Sequence, residues 1–278
     1  MNRNPFPADI RAPLTFICPQ EEKPVFNSSA LTGGAPEILF EIEDRMVAIG
    51  DMRAVADGLS LDREGFEFHR HESAAGDLRD DDALDGRYFP EMEAYLRRRF
   101  AATRVVIFDA TRRSDDSAGA ENRDGPRGPA WRVHVDYTVK SGPQRVSDIL
   151  GEAEAARIDA AGARIFQVNI WRPIHGPVAR TPLAVADAAS VKPEELIETD
   201  QVFPDRTGEI YHLAHAPTQQ WYYAPAMTAD EIILIKGWDS RDDGRARFTP
   251  HGAFTLPDTP TDAPPRESIE LRALVIEE

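Results

Sequence analysis

Between Trp131 and Val139 a histidine and an aspartate stand two residues apart on what the pattern predicts to be one strand. Trp131, Val133, Val135, Tyr137 and Val139 alternate with Arg132, His134, Asp136 and Thr138, and a period of two marks a strand with chemically distinct faces. His134 and Asp136 then project together from the polar face. An imidazole and a carboxylate so placed can chelate one ion. A third ligand from a distant strand would complete a two-histidine, one-carboxylate facial set that leaves positions open on a non-haem iron. On its own, an HxD pair also suits a half-exposed strand whose His and Asp satisfy each other. The C-terminal part of the chain favours the metal. His251, in FTPHGAFTLP, is the candidate third ligand, and fifteen residues later PRESIELRALVI begins its strand pattern with Arg266. There Arg266, Ser268, Glu270 and Arg272 share one face, while Ile269, Leu271, Ala273 and Val275 share the other. The guanidinium fork of Arg266 can hold the far carboxylate of a keto acid in two hydrogen bonds, and the Ser268 hydroxyl can donate a third.

Other polar residues are weighed by the same alternation. Gln167, Asn169 and Trp171 alternate with Phe166, Val168 and Ile170, so Asn169 is expected to face the same cavity as the metal, either supporting a metal ligand from behind or contacting the co-substrate. Tyr222 shares a face with Gln220 and is expected to reach the site as well. Arg172 falls on the opposite face from Asn169. His69 and His71 form an HxH pair without the glycine and glutamate spacing of a cupin, and read as a polar strand edge or site rim. His212 and His215, three apart in the strand EIYHLAHA, face opposite ways and cannot chelate together.

The elements that must position these residues are mostly short strands. Residues 1–35 read as an irregular arm with strand-like pieces. A hairpin is expected in EILFEIEDRMVAIGDMRAVA, turning at Glu43-Asp44-Arg45. PEMEAYLRRRF, from Pro90 to Phe100, is expected to be a helix with proline in its first turn and Met92, Tyr95, Leu96 and Phe100 on one face. RVVIFDA, from Arg104, reads as a short buried strand. Residues 112–130 are polar, aperiodic and rich in Gly and Pro, the pattern of a flexible loop or a lid over a site. A helix is expected over about 143–160, followed by the strand ARIFQVNIWRPI. The strands TPLAVAD, EIYHLAHA, QWYYA, EIILIKGW and SIELRALVI fill the remainder. Many short strands with few helices predict a mainly β fold, a double-stranded β-helix (jelly roll, cupin-like) with peripheral helices, built as a single domain over 1–278.

Composition excludes several classes. The 278 residues carry 48 acids against 32 bases, a formal charge of −16, which argues against nucleic acid or an anionic membrane as partner. One cysteine, Cys18, excludes a disulfide framework and cysteine-rich metal sites. No apolar run approaches the roughly 18 residues of a membrane span, and MNRNPFPADIRAPLTF lacks the apolar core of a signal peptide. A cytoplasmic protein is expected.

VHVDYT, QRVSDIL, NIWRPIHGPV, PLAVADAASV, QQWYYAPAMTADEIILIKGWDS, PHGAFTLPD and APPRESIELRALV together resemble the CmcJ/NvfI-like family, which includes a fungal gibberellin desaturase and a cephamycin methoxylation protein. The likeness runs from about Gly65 to the C-terminus. It implies a double-stranded β-helix that binds Fe(II) through His134, Asp136 and His251. It also implies 2-oxoglutarate as co-substrate, held by Arg266 with Ser268, and dioxygen as oxidant. The implied function is a dioxygenase, a hydroxylase or desaturase acting on a small, secondary-metabolite-like molecule. Phe108-Asp109-Ala110-Thr111-Arg112 departs from the family pattern, which has histidine at position 110, so a substrate contact from there is in question. Two alternatives remain: a non-catalytic accessory subunit of a two-component enzyme, and a cupin-type metalloenzyme independent of 2-oxoglutarate.

Overall fold

The alternating segments fold into two facing β-sheets in the computed structural model, which describes residues 10–33 and 36–278. The strands are β1 (Ile10–Ile17), β2 (Val25–Asn27), β3 (Glu37–Ile38), β4 (Ile42–Asp51), β5 (Phe66–Arg70), β6 (Arg104–Ser114), β7 (His134–Val135) and β8 (Arg164–Pro173). They continue with β9 (Leu183–Ala186), β10 (Leu196–Val202), β11 (Thr207–Leu213), β12 (Trp221–Tyr223), β13 (Glu231–Asp239), β14 (His251–Ala253) and β15 (Glu267–Glu277). The larger sheet has the order β1-β4-β12-β9-β14-β7-β11-β10-β2-β3, and the smaller β5-β13-β8-β15-β6. The larger sheet curls back on itself, since β1, at one end of that order, also bridges Thr15 to Arg132 and Ile17 to Ala214. This is the cupin-like jelly roll that the strand pattern predicts.

Each sheet has one dry face that is covered from outside. In the smaller sheet Phe166, Val168 and Ile170 of β8 and Ile269, Leu271, Ala273 and Val275 of β15 turn into one apolar cluster. Helix α1 (Phe89–Phe100) lies on that cluster and buries Met92 and Leu96 in it. In the larger sheet Val133, Ala184 and Leu213 pack under Leu14 and Phe16 of β1 and Ile49 of β4. Strand alternation sends Asn169, Ser268, Glu270 and Arg272 into the space between the sheets, beside an apolar cluster in which Trp171, Ile233 and Ile235 of the smaller sheet meet Leu183, Val185 and Tyr222 of the larger.

Several expectations need correction. Glu43, Asp44 and Arg45 form no turn: they lie inside β4, paired with Phe16, Thr15 and Leu14 of β1. The charges are accommodated because this end of the strand faces solvent, where the Thr15 hydroxyl donates to Asp44 at 2.7 Å. The described part of the N-terminal arm has two strands, the eight-residue β1 and the three-residue β2, with residues 18–24 irregular between them. Residues 1–9 and 34–35 of that arm lie outside the described residues. The strand expected over 131–139 forms a ladder only at His134 and Val135, with a single further bridge at Arg132; Trp131 and Val139 are exposed. It stops because the Thr138 hydroxyl accepts from the Ser141 amide at 3.1 Å and starts helix α2 (Ser141–Leu150). The single helix of 143–160 is two, broken at Gly151 with φ +85° before α3 (Glu152–Ala160).

β6 is also longer and less buried than expected. It is an eleven-residue edge strand that takes in the first three residues assigned to the 112–130 loop. The remaining loop folds back along it. The Asn122 carboxamide accepts from the Arg112 amide at 2.7 Å and donates to the Arg112 carbonyl at 2.9 Å. Ala120 and Arg127 bridge across the loop.

The apolar cluster under α1 yields a stability prediction. Leu96→Ala should lower unfolding free energy by roughly 2–5 kcal/mol in equilibrium urea titrations. Divalent-metal affinity of the folded protein should not change, because the candidate ligands lie beyond the other face of the sheet.

Candidate active site

β14 lies between β9 and β7, and its register places His251 opposite both Val185 and His134. Residues directly opposed on paired strands share a face, so both imidazoles enter the inter-sheet space, with ring centroids 4.6 Å apart. Asp136 follows two residues after His134. One ligand atom from each of His134, Asp136 and His251 lies within 4.8 Å of the others.

The hydrogen bonds fix which atoms face the centre. His134 Nδ1 is 2.8 Å from the Arg132 carbonyl, and His251 Nδ1 is 3.0 Å from the Thr249 carbonyl. A carbonyl only accepts, so each Nδ1 carries the proton and each Nε2 lone pair is free to coordinate. Asp136 Oδ2 accepts from Asn169 Nδ2 at 2.6 Å and Arg272 Nε at 3.1 Å. Asp136 Oδ1 lies 3.8 Å from His134 Nε2 and takes only a longer bond, from Arg272 Nη2 at 3.3 Å, so it is the inward oxygen and suits one-oxygen ligation.

Charge follows the same logic. Burial, with the His251 ring and the Arg113 guanidinium nearby, pushes His134 down to about 3, so the ring is neutral near pH 7. Burial alone would raise Asp136, but the Arg272 guanidinium beside it holds the carboxyl well below the usual carboxylate range. Two neutral imidazoles and one carboxylate on one side of a point suit a divalent transition metal such as Fe(II) and leave room for further ligands.

A cleft opens from this point, lined among others by Trp171, Leu183, Arg113 and Arg266. Asp115 anchors the Arg266 backbone, accepting from its amide at 2.7 Å. The Arg266 guanidinium is buried over the Trp171 ring, and its Nε and Nη2 have no hydrogen-bond partner. Burial and neighbouring Arg113 push it down to about 10, which still leaves it charged. Buried donors without acceptors are costly, and a planar fork of two is satisfied by a carboxylate. Ser268, two residues on, is also buried.

The residues singled out by sequence do not all meet. His134, Asp136, His251 and Arg266 line or adjoin one cleft. Asn169 binds Asp136 rather than standing at the arginine. Tyr222 lies elsewhere, in the apolar cluster with Phe66 and Ile233, its ring 5.7 Å from that of Phe66. It shares a face with His251 through Val185, but two strand spacings, about 10 Å, separate them. His69 is bonded to Glu67 at 2.8 Å, and His212 to Thr199 at 3.0 Å. Arg172 turns outward to the Tyr88 hydroxyl and the His71 carbonyl. Ala110 pairs with Leu271 and packs against the cluster under α1, so a side chain at 110 faces away from the centre.

The role of Arg272 was not foreseen. Alternation put it on the correct face, but no pattern within one strand shows that it crosses to the carboxylate of another sheet. Gly65 was also missed: at φ +82° its carbonyl accepts from Thr249 Oγ1 at 2.8 Å, and a Cβ there would collide with that hydroxyl.

A jelly roll that gathers two histidines and an aspartate beside a buried arginine belongs to the class of cupin-like metal-dependent oxidoreductases. Residues 14–276 match the family described as "Oxidoreductase/YMDC permease-like domain". The chain is 34% identical over 238 residues to the alpha-ketoglutarate-dependent dioxygenase phiK of Fungal sp., covering 84% of each. It is 33% identical to the hydroxylase/desaturase CTB9 of Cercospora beticola, covering 84% of this chain and 76% of that one. Its fold superimposes with a TM-score of 0.84 on the iron and alpha-ketoglutarate-dependent endoperoxidase NvfI, at 28% identity over 96% of this chain and 98% of the other. The chain belongs to this family of Fe(II)/2-oxoglutarate-dependent dioxygenases and hydroxylase/desaturases.

The supports behind the ligands are testable by metal titration. Arg272→Gln, which leaves Asp136 without its cation, should weaken Fe(II) binding roughly 10–100-fold. Gly65→Ala should displace Thr249 and so misorient His251, lowering both metal affinity and the thermal midpoint.

Proposed function

We propose that this chain is a non-haem Fe(II)/2-oxoglutarate-dependent oxygenase that hydroxylates or desaturates a small organic molecule of the secondary-metabolite kind. His134, Asp136 and His251 hold the iron, and Arg266, with Ser268, holds the far carboxylate of 2-oxoglutarate. The observation that carries this reading is the pair of unpartnered buried donors on Arg266, across one cleft from the His/Asp/His set. Bound Fe(II) would supply, with 2-oxoglutarate and dioxygen, the oxidising power to break a substrate C–H bond.

The protein's own residues do the rest. Arg132 and Thr249 carbonyls keep both Nε2 atoms inward, and Asn169 and Arg272 keep Asp136 anionic, with only the longer 3.3 Å contact from Arg272 Nη2 on its inward oxygen. Trp171, Leu183 and Ala253 give the cleft apolar walls, which exclude water and strengthen charge interactions inside. Both sheets contribute, so the chain works as one domain. The loop after β6 serves as a cover: Ala130 lines the cleft, and its carbonyl accepts from the Ala253 amide at 2.8 Å.

Anaerobic addition of Fe(II) and 2-oxoglutarate to the apoprotein should give a visible charge-transfer band. His134→Ala or His251→Ala should abolish it. Arg266→Gln should retain Fe(II) affinity but weaken 2-oxoglutarate binding at least tenfold. No band with the wild-type protein would sink the reading: absence of Fe(II) binding points to an accessory subunit, and Fe(II) binding indifferent to 2-oxoglutarate points to a cupin-type metalloenzyme.

A further inference from the structure

Arg266 is not the only uncompensated cation in the cleft. Arg113 of β6 is paired with Ser268 of β15, so its side chain leaves the neighbouring strand on the same face, displaced from Arg266 towards the candidate metal ligands. Both guanidiniums line the cleft that holds His134 and His251. Arg113 donates to the Gly128 carbonyl at 3.0 Å, and among the described residues neither arginine is ion-paired to a carboxylate. The nearby acids are already engaged. Glu270 binds Arg272 at 2.6 Å, and Asp115 holds Arg180 at 2.9 Å together with the Arg266 amide.

Two guanidiniums sharing an apolar-walled cleft repel each other, and each lowers the cost of bringing in negative charge. A monoanion would neutralise one of them. A dianion long enough to reach from Arg266 towards the metal ligands would neutralise both.

We propose that Arg113 is a second co-substrate-binding residue, which together with Arg266 makes the cleft selective for a 2-oxo dicarboxylate over a 2-oxo monocarboxylate. This rests on the oxygenase reading, and the test separates the two. Affinities of 2-oxoglutarate and of 2-oxobutyrate, which lacks the second carboxylate, are measured by anaerobic titration of Fe(II)-loaded protein without other substrate. Fe(II) affinity and thermal midpoint, measured alone, verify the fold of each variant.

Arg113→Gln should weaken 2-oxoglutarate binding roughly 10–100-fold and change 2-oxobutyrate binding much less. Arg113→Lys, which keeps the charge but loses the fork, should fall between them and serves if the glutamine variant does not fold. The preference for the dicarboxylate should shrink in Arg113→Gln and in Arg266→Gln, and vanish in the double variant. If the wild-type protein binds neither acid, the oxygenase reading fails and this inference with it. If the wild-type protein binds 2-oxoglutarate and Arg113→Gln, with unchanged Fe(II) affinity, binds it within twofold as tightly, the inference alone is overturned.

Discussion

A carboxylate placed between two sheets must be given a cation or it takes up a proton, and here the cation comes from the opposite sheet. Asp136 leaves the larger sheet just after β7, and Arg272 rises from β15 of the smaller one to meet it. Arg272 also binds Asp109 and Glu270, so one guanidinium gathers acids from three segments. Breaking a largely buried pair by removing one partner typically costs about 3–5 kcal/mol, so the sheets are locked together at the point where the histidines converge. The lock and the metal geometry are one structure: the orientation of Asp136 is set by the contact that fixes the sheet spacing.

The polar part of the interior is possible because it shares the inter-sheet space with an apolar cluster around Trp171, Val185 and Ile233, and because further apolar burial is done on the outer faces. Helix α1 covers the smaller sheet, and the curl of the larger sheet brings its own β1 and β4 over its outer face, which lets part of the inner faces carry Arg, Asn, Ser and Glu. A sandwich that relied on its central layer alone for burial could not hold so many charged groups there.

Much of this was legible in sequence, for a local reason. Alternation in 131–139, in β8 and in β15 correctly divided His134 and Asp136, Asn169 and Trp171, and Arg266 through Arg272 from their apolar neighbours. Periodicity and an N-terminal proline located α1. The misreadings came where tertiary pairing overrode local chemistry. Glu43-Asp44-Arg45 reads as a turn by composition, yet β1 supplies a full ladder alongside it. Gly151 splits a helix that periodicity joins. Within the site, a strand pattern gives the face of a residue but not its partner. It could not tell that Asn169 and Arg272 would converge on Asp136, or that Tyr222, on the correct face, would lie two strands too far along the row.

The loop after β6 has a consequence apart from any role over the cleft. β6 is an edge strand, and an edge offers unpaired backbone groups to any other extended chain. The two hydrogen bonds from the Asn122 carboxamide to the Arg112 backbone imitate a ladder partner, and the Arg127 carbonyl takes the next amide, that of Ser114, at 3.2 Å. The loop thus occupies the edge nearest the active cleft with a stand-in strand too short and irregular to recruit another. This end of the sheet is closed to intermolecular pairing, a safeguard against aggregation built from a side-chain amide rather than from charge.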